Sequence, residues 1–158
     1  FGDHKVLITG VNADAGNDRV TQVISEYAAR DPGRGALFAS LGQLRYLSAM
    51  KHAAAVVGNS SSGLLEAPSF AKGTINIGDR QRGRLKAESV IDCDSEQGSI
   101  ATALQKLYSK EFQSMLETVK NPYGEGGASG RVVDTLVKVP LGDIREVLRK
   151  YGAIVPAS

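Results

Sequence analysis

Residues 53–66 read Ala-Ala-Ala-Val-Val-Gly-Asn-Ser-Ser-Ser-Gly-Leu-Leu-Glu, an apolar run closed by a Gly/Asn/Ser loop that leads into a helical pattern. A loop of this kind at the start of a helix offers backbone N–H groups and hydroxyls to an anion, phosphate above all. Ser60 and Ser61 are the candidate donors, and Glu66 is placed to accept two hydroxyls from a ribose. Together they make half of a nucleotide-diphosphate site. The bland alternative is a serine-rich cap that satisfies the helix's own N–H groups, with Glu66 complementing the dipole.

Two further clusters have the right chemistry. Asn12-Ala-Asp-Ala-Gly16 is a polar elbow after an apolar run, and Asn12 could hydrogen-bond a phosphate or sugar. Asn and Asp are also frequent in such elbows because their side chains mimic turns. Arg80, Arg82, Arg84 and Lys86 alternate after another apolar run; forked guanidinium contacts would neutralise a diphosphate, but one of the four at most is assigned to a ligand. No aromatic residues interleave with that run, which argues against nucleic acid. His4 and His52 stand alone beside a single cysteine, Cys93, so neither a metal site nor a cofactor is expected. The loop Asn121-Pro-Tyr-Gly-Glu-Gly-Gly127 reads by default as a linker.

The elements that must position these groups follow from periodicity. Short apolar runs at 5–9, 35–40, 53–57, 74–78 and 89–93 read as strands. The first is apolar on both faces, as a strand covered by helices would be. Amphipathic stretches around Val20–Tyr27, Leu44–Met50, 63–70, Ile100–Tyr108 and 111–119 read as helices, with a last one from Val132 broken at Pro140. Asn17 or Asp18 could cap the first. The loop 121–130 holds four of the 18 glycines. Strand–helix alternation predicts a three-layer α/β/α, Rossmann-like parallel sheet. Its ligand should lie beyond the carboxyl ends of the strands, where the loops at Asn12, Ser40, Asn59 and Asp79 converge.

The 158 residues, 42% hydrophobic, are expected to form one domain, 1–158. A formal net charge of +2 is too small to imply nucleic acid, and no apolar run approaches membrane-spanning length. The lone cysteine excludes an intrachain disulfide and fits a cytoplasmic location.

Gly58-Asn-Ser-Ser-Ser-Gly-Leu-Leu-Glu-Ala-Pro-Ser-Phe70 and Thr74-Ile-Asn-Ile-Gly-Asp-Arg-Gln-Arg-Gly-Arg84 resemble the hydrolysing UDP-N-acetylglucosamine 2-epimerases. Thr9-Gly-Val-Asn-Ala-Asp-Ala-Gly-Asn17 and Asn121-Pro-Tyr-Gly-Glu-Gly126 resemble them too, in the same order. The resemblance implies the C-terminal half of a GT-B fold, lacking its first strand–helix unit. It implies conversion of UDP-N-acetylglucosamine and water to N-acetylmannosamine and UDP, in sialic or legionaminic acid synthesis, with UDP-diacetylbacillosamine as the alternative substrate. Carried onto matching positions, Ser60 and Ser61 would hold the diphosphate, Glu66 the ribose, Asn12 and Arg80 the nucleotide pocket, and Ser40 the uracil edge. The family's acid/base carboxylates belong to the other lobe, and neither histidine here sits in the family's histidine motif. No catalytic residue is therefore assigned, and the chain alone is expected to be inactive without the missing N-terminal lobe. Phe70-Ala-Lys-Gly73 departs from the family pattern, which has glycine at 71. A glycosyltransferase donor lobe and a non-catalytic nucleotide-sugar module remain the alternatives, and an exposed sheet edge would allow self-association.

Overall fold

The computed structural model describes residues 4–10 and 17–138. The chain divides into two compact units, 1–122 and 123–158. In the first, the described order is β1 (Val6–Thr9), α1 (Asn17–Arg30), β2 (Gly35–Phe38), α2 (Gly42–His52), β3 (Ala55–Gly58), α3 (Ser62–Leu65), a 3-10 turn (Ala67–Phe70), β4 (Gly73–Ile77), β5 (Val90–Cys93), α4 (Gln97–Leu107) and α5 (Lys110–Leu116). The second contains α6 (Ala128–Lys138). The break expected at Pro140 lies outside the described residues. Among those residues no helix is long and apolar enough to cross a membrane.

All strand pairs are parallel. β1 pairs with β2, and β3, β4 and β5 form a second ladder with β4 in the centre. With β1 and β2 counted as the second and third strands of such a fold, the ladders read 3-2 and 4-5-6. These are the two flanks of the common doubly wound order 3-2-1-4-5-6. Among the described residues no strand pairs with the second edge of β1 or the outer edge of β3.

The core lies against β4 and β5, where Ile75 and Ile91 meet Ala103, Leu107, Phe112 and Leu116 of α4 and α5. Two glycines permit the close approaches around β4. A Cβ on Gly73 would run into Leu107 and Phe112, and one on Gly63 would run into the Thr74 methyl. The Thr74 hydroxyl instead donates to the Gly63 carbonyl at 2.8 Å, fastening α3 to β4. Ser109 caps α5, its hydroxyl accepting the Phe112 N–H at 3.2 Å.

Three sequence expectations change. The helix expected over 63–70 is two short pieces. α3 makes one turn and ends at Glu66, and Pro68, which has no N–H to continue the ladder, falls in the 3-10 turn that follows. The first strand is also less covered than its apolar faces suggested, with Leu7 50% exposed. Asn17 and Asp18 both lie inside α1, Asp18 in its first turn.

Candidate functional site

Because β3 and β4 are adjacent and parallel, the loops that follow them emerge side by side. Gly58 and Asn76 are paired near the carboxyl ends of the two strands, and Gly78 turns the chain with φ of 76°. The Asn59 carbonyl then receives two donors from the second loop: Gln81 Nε2 at 2.7 Å and Arg80 Nη1 at 3.3 Å. The structure thus brings Arg80 to the serine loop.

Ser60 is exposed, and its hydroxyl accepts the Ser62 N–H at 3.3 Å. Ser61 carries helical backbone angles at the head of α3, and its side chain makes no capping bond. Of the three hydroxyls, only that of Ser60 serves the backbone in the way the capping alternative requires. A single turn, however, sums few peptide dipoles, so the serines themselves matter more here than a helix field.

Glu66 stands at the end of that turn rather than in the first turn of a longer helix. Its N–H donates to the Ser62 carbonyl at 3.0 Å, and its carbonyl accepts the Ser69 N–H at 3.0 Å. Its carboxylate oxygen Oε2 is buried and has no hydrogen-bond partner among the described residues. Buried polar atoms are nearly always paired, so a carboxylate oxygen left without a partner among the described residues, one turn from a polar loop, suits a hydroxyl-bearing ligand.

Ser40 follows β2, in the other ladder. Its hydroxyl accepts the Gly42 N–H at 3.3 Å, and it lines an open cavity of about 340 Å³ with Thr9, Gly10, Gln43 and Tyr46. No hydrogen bond among the described residues joins it to Ser60. Asn12 lies outside the described residues.

Two other cations of the arginine loop, Arg82 and Lys86, are engaged elsewhere. Arg82 approaches Asp79 at 3.7 Å, both exposed. Lys86 Nζ donates to both Asp92 oxygens at 2.7 and 2.8 Å, and Asn76 Nδ2 donates to one of them at 2.7 Å. Partial burial opposes ionisation of Asp92, but these hydrogen bonds and the lysine charge outweigh it and hold the carboxyl below its usual range. Burial, reinforced by Asp94 and Asp92, pushes the Cys93 thiol up, away from reactive thiolate. Among the described residues no group of three metal-ligating side chains converges.

Two residues escaped sequence reasoning. Gln81 is buried within the basic loop, and an uncharged amide between two arginines was its only signal. Asn121, in the stretch read as a linker, donates to the Leu65 carbonyl at 2.8 Å and the Ser69 hydroxyl at 2.7 Å, bracketing Glu66.

These features define a doubly wound α/β domain in which the loops after β3 and β4 meet beyond the carboxyl ends of those parallel strands. A family model described as UDP-N-acetylglucosamine 2-epimerase matches residues 2–137. The chain belongs to that family. It is 41% identical over 133 residues to the hydrolysing GDP/UDP-N,N'-diacetylbacillosamine 2-epimerase of Campylobacter jejuni, covering 84% of this chain and 34% of the relative. It is 32% identical over 146 residues to polysialic acid biosynthesis protein P7 of Escherichia coli, covering 90% and 37%. Among solved structures, a UDP-GlcNAc 2-epimerase from Neisseria meningitidis bound to UDP-GlcNAc superposes with a TM-score of 0.59 at 20% identity, over 88% of this chain and 46% of that one. That likeness shows the fold. The chain spans little more than a third of each of these two curated relatives.

Proposed function

We propose that this chain is the UDP-binding C-terminal lobe of a hydrolysing UDP-sugar 2-epimerase in sialic or legionaminic acid synthesis, converting UDP-N-acetylglucosamine and water to N-acetylmannosamine and UDP. UDP-diacetylbacillosamine is the alternative substrate, supported by the 41% identity to an epimerase named for that sugar. The observation that carries the proposal is the buried Glu66 oxygen, without a partner among the described residues, one turn from Ser61 and from a serine loop held by Arg80. In this arrangement Ser60 and Ser61 hold the diphosphate, Glu66 takes the ribose hydroxyls, and Arg80 supplies positive charge. Ser40 and Asn12 complete the nucleotide pocket, Ser40 at the uracil edge.

The lobe's mechanistic share is stabilisation of the leaving group. Donors fixed on the diphosphate favour the charge that develops as the bond from the sugar C1 to the UDP oxygen breaks. The groups that move protons at the sugar belong to the other lobe, and the chain alone is inactive. Incubating it with either UDP-sugar and quantifying released UDP tests the division of labour. No release above the buffer control is the expected outcome, and epimerisation by the 158 residues would refute it.

A further inference from the structure

Gln81 sits in an exposed loop, yet its side chain is only 1% exposed. The arginines on either side of it, Arg80 and Arg82, are both exposed. Its Nε2 donates to the Asn59 carbonyl at 2.7 Å, while its own Oε1 is buried with no partner among the described residues. Burying an amide with its acceptor oxygen unused is unfavourable, so the side chain is not there for its own satisfaction. What it does is fix the carbonyl that immediately precedes Ser60. The turn Arg82 N–H to Asp79 carbonyl, at 2.8 Å, and the left-handed glycines Gly78 and Gly83 shape the loop that delivers it.

Arg80 reaches the same carbonyl by a longer bond, 3.3 Å, from an exposed side chain. The Gln81 bond is thus the shorter and the better shielded of the two.

We propose that Gln81 is a positioning residue: its buried amide clamps the Asn59 carbonyl and so presents Ser60 and Ser61 in the geometry that receives the nucleoside diphosphate. This rests on the UDP site proposed above. Gln81 touches no substrate; it acts through the backbone of the serine loop.

The test is a UDP titration of the 158-residue chain followed through its backbone amide resonances, with Gln81→Met and Gln81→Glu beside the wild type. Methionine keeps the length and loses the donor. Glutamate sets a carboxylate against a carbonyl at high pH and regains an O–H donor once protonated. The expected result is UDP affinity about tenfold weaker in Gln81→Met, the loss of one good hydrogen bond's worth of preorganisation. In Gln81→Glu the affinity, expressed relative to wild type at each pH, is weak at pH 8 and recovers toward pH 5. Division by the wild type cancels titration of UDP itself and of every unchanged side chain. Wild-type affinity in either folded variant, or a Gln81→Glu defect that does not depend on pH, overturns the assignment. If Gln81→Met fails to fold, the pH profile of Gln81→Glu decides alone. Absence of UDP-dependent shifts in the wild type overturns the UDP site itself, a different failure from variants that bind like the wild type.

Discussion

The two ladders of the first unit are built from similar apolar runs and end in very different environments. From Gly73 to Asn76 every residue of β4 is buried. In β2 only Gly35 is buried; Leu37 and Phe38 remain 37% and 43% exposed. The difference lies in what packs on each strand. β4 has β3 and β5 as neighbours, α3 drawn close through Gly63 and Thr74, and α4 and α5 against Ile75. Among the described residues β2 has β1 as its one strand partner, and α1 packs on it. An apolar run thus sets a strand's capacity for burial, while the elements around it decide how much of that capacity is used. The proposed diphosphate loops sit at the end of the well-packed ladder, where a rigid base can hold them.

Truncation in the two ladders should break the symmetry most visibly. Ile75→Ala, at a fully buried position, is expected to cost about 2–5 kcal/mol by denaturant unfolding. Leu37→Ala, at a position still 37% exposed, is expected to cost clearly less, about 1 kcal/mol. Comparable losses at both sites would mean that β2 is covered in solution.

A smaller effect is expected at Ala71, the turn between the 3-10 turn and β4. It holds φ of 54° and ψ of 40°, the left-handed region that penalises any side chain with a Cβ. Ala71→Gly relieves that strain and loses some chain entropy, for a net gain of about 0.5–1 kcal/mol read as a rise in melting temperature. An unchanged or lower melting temperature would show that the turn is not strained in solution.

The smallest effect concerns the Lys86–Asp92–Asn76 network beside the arginine loop. The Asp92 carboxyl titrates below its ordinary range in the folded chain. The stability it contributes is therefore present above the ordinary carboxylate pKa and disappears as pH falls through the lowered one. Asp92→Asn should accordingly lie slightly below wild type in stability at pH 7. The gap should close as pH falls below about 4. A gap that widens in acid would contradict the assignment.

Much of this was legible in the sequence. Strand–helix alternation specified the parallel α/β class, and the run from Gly58 to Phe70 carried the family resemblance. Periodicity did not reveal that this run breaks at Glu66, because Leu64, Leu65 and Pro68 fit one helical pattern while proline interrupts the hydrogen bonding. Gln81 and Asn121 were hidden for another reason. Their roles depend on backbone carbonyls 22 and 56 residues away, and local pattern carries no record of such partners. The departure at Ala71 was visible as an odd residue, and the backbone angles supply its meaning.

The most direct measurement is a calorimetric titration of UDP into the 158-residue chain and into a Ser60→Ala/Ser61→Ala variant of equal thermal stability. The expected result is weak binding by the wild type, around the millimolar range or about 4 kcal/mol, that vanishes in the variant. Binding of the same strength in both proteins would contradict the serine loop as the diphosphate site.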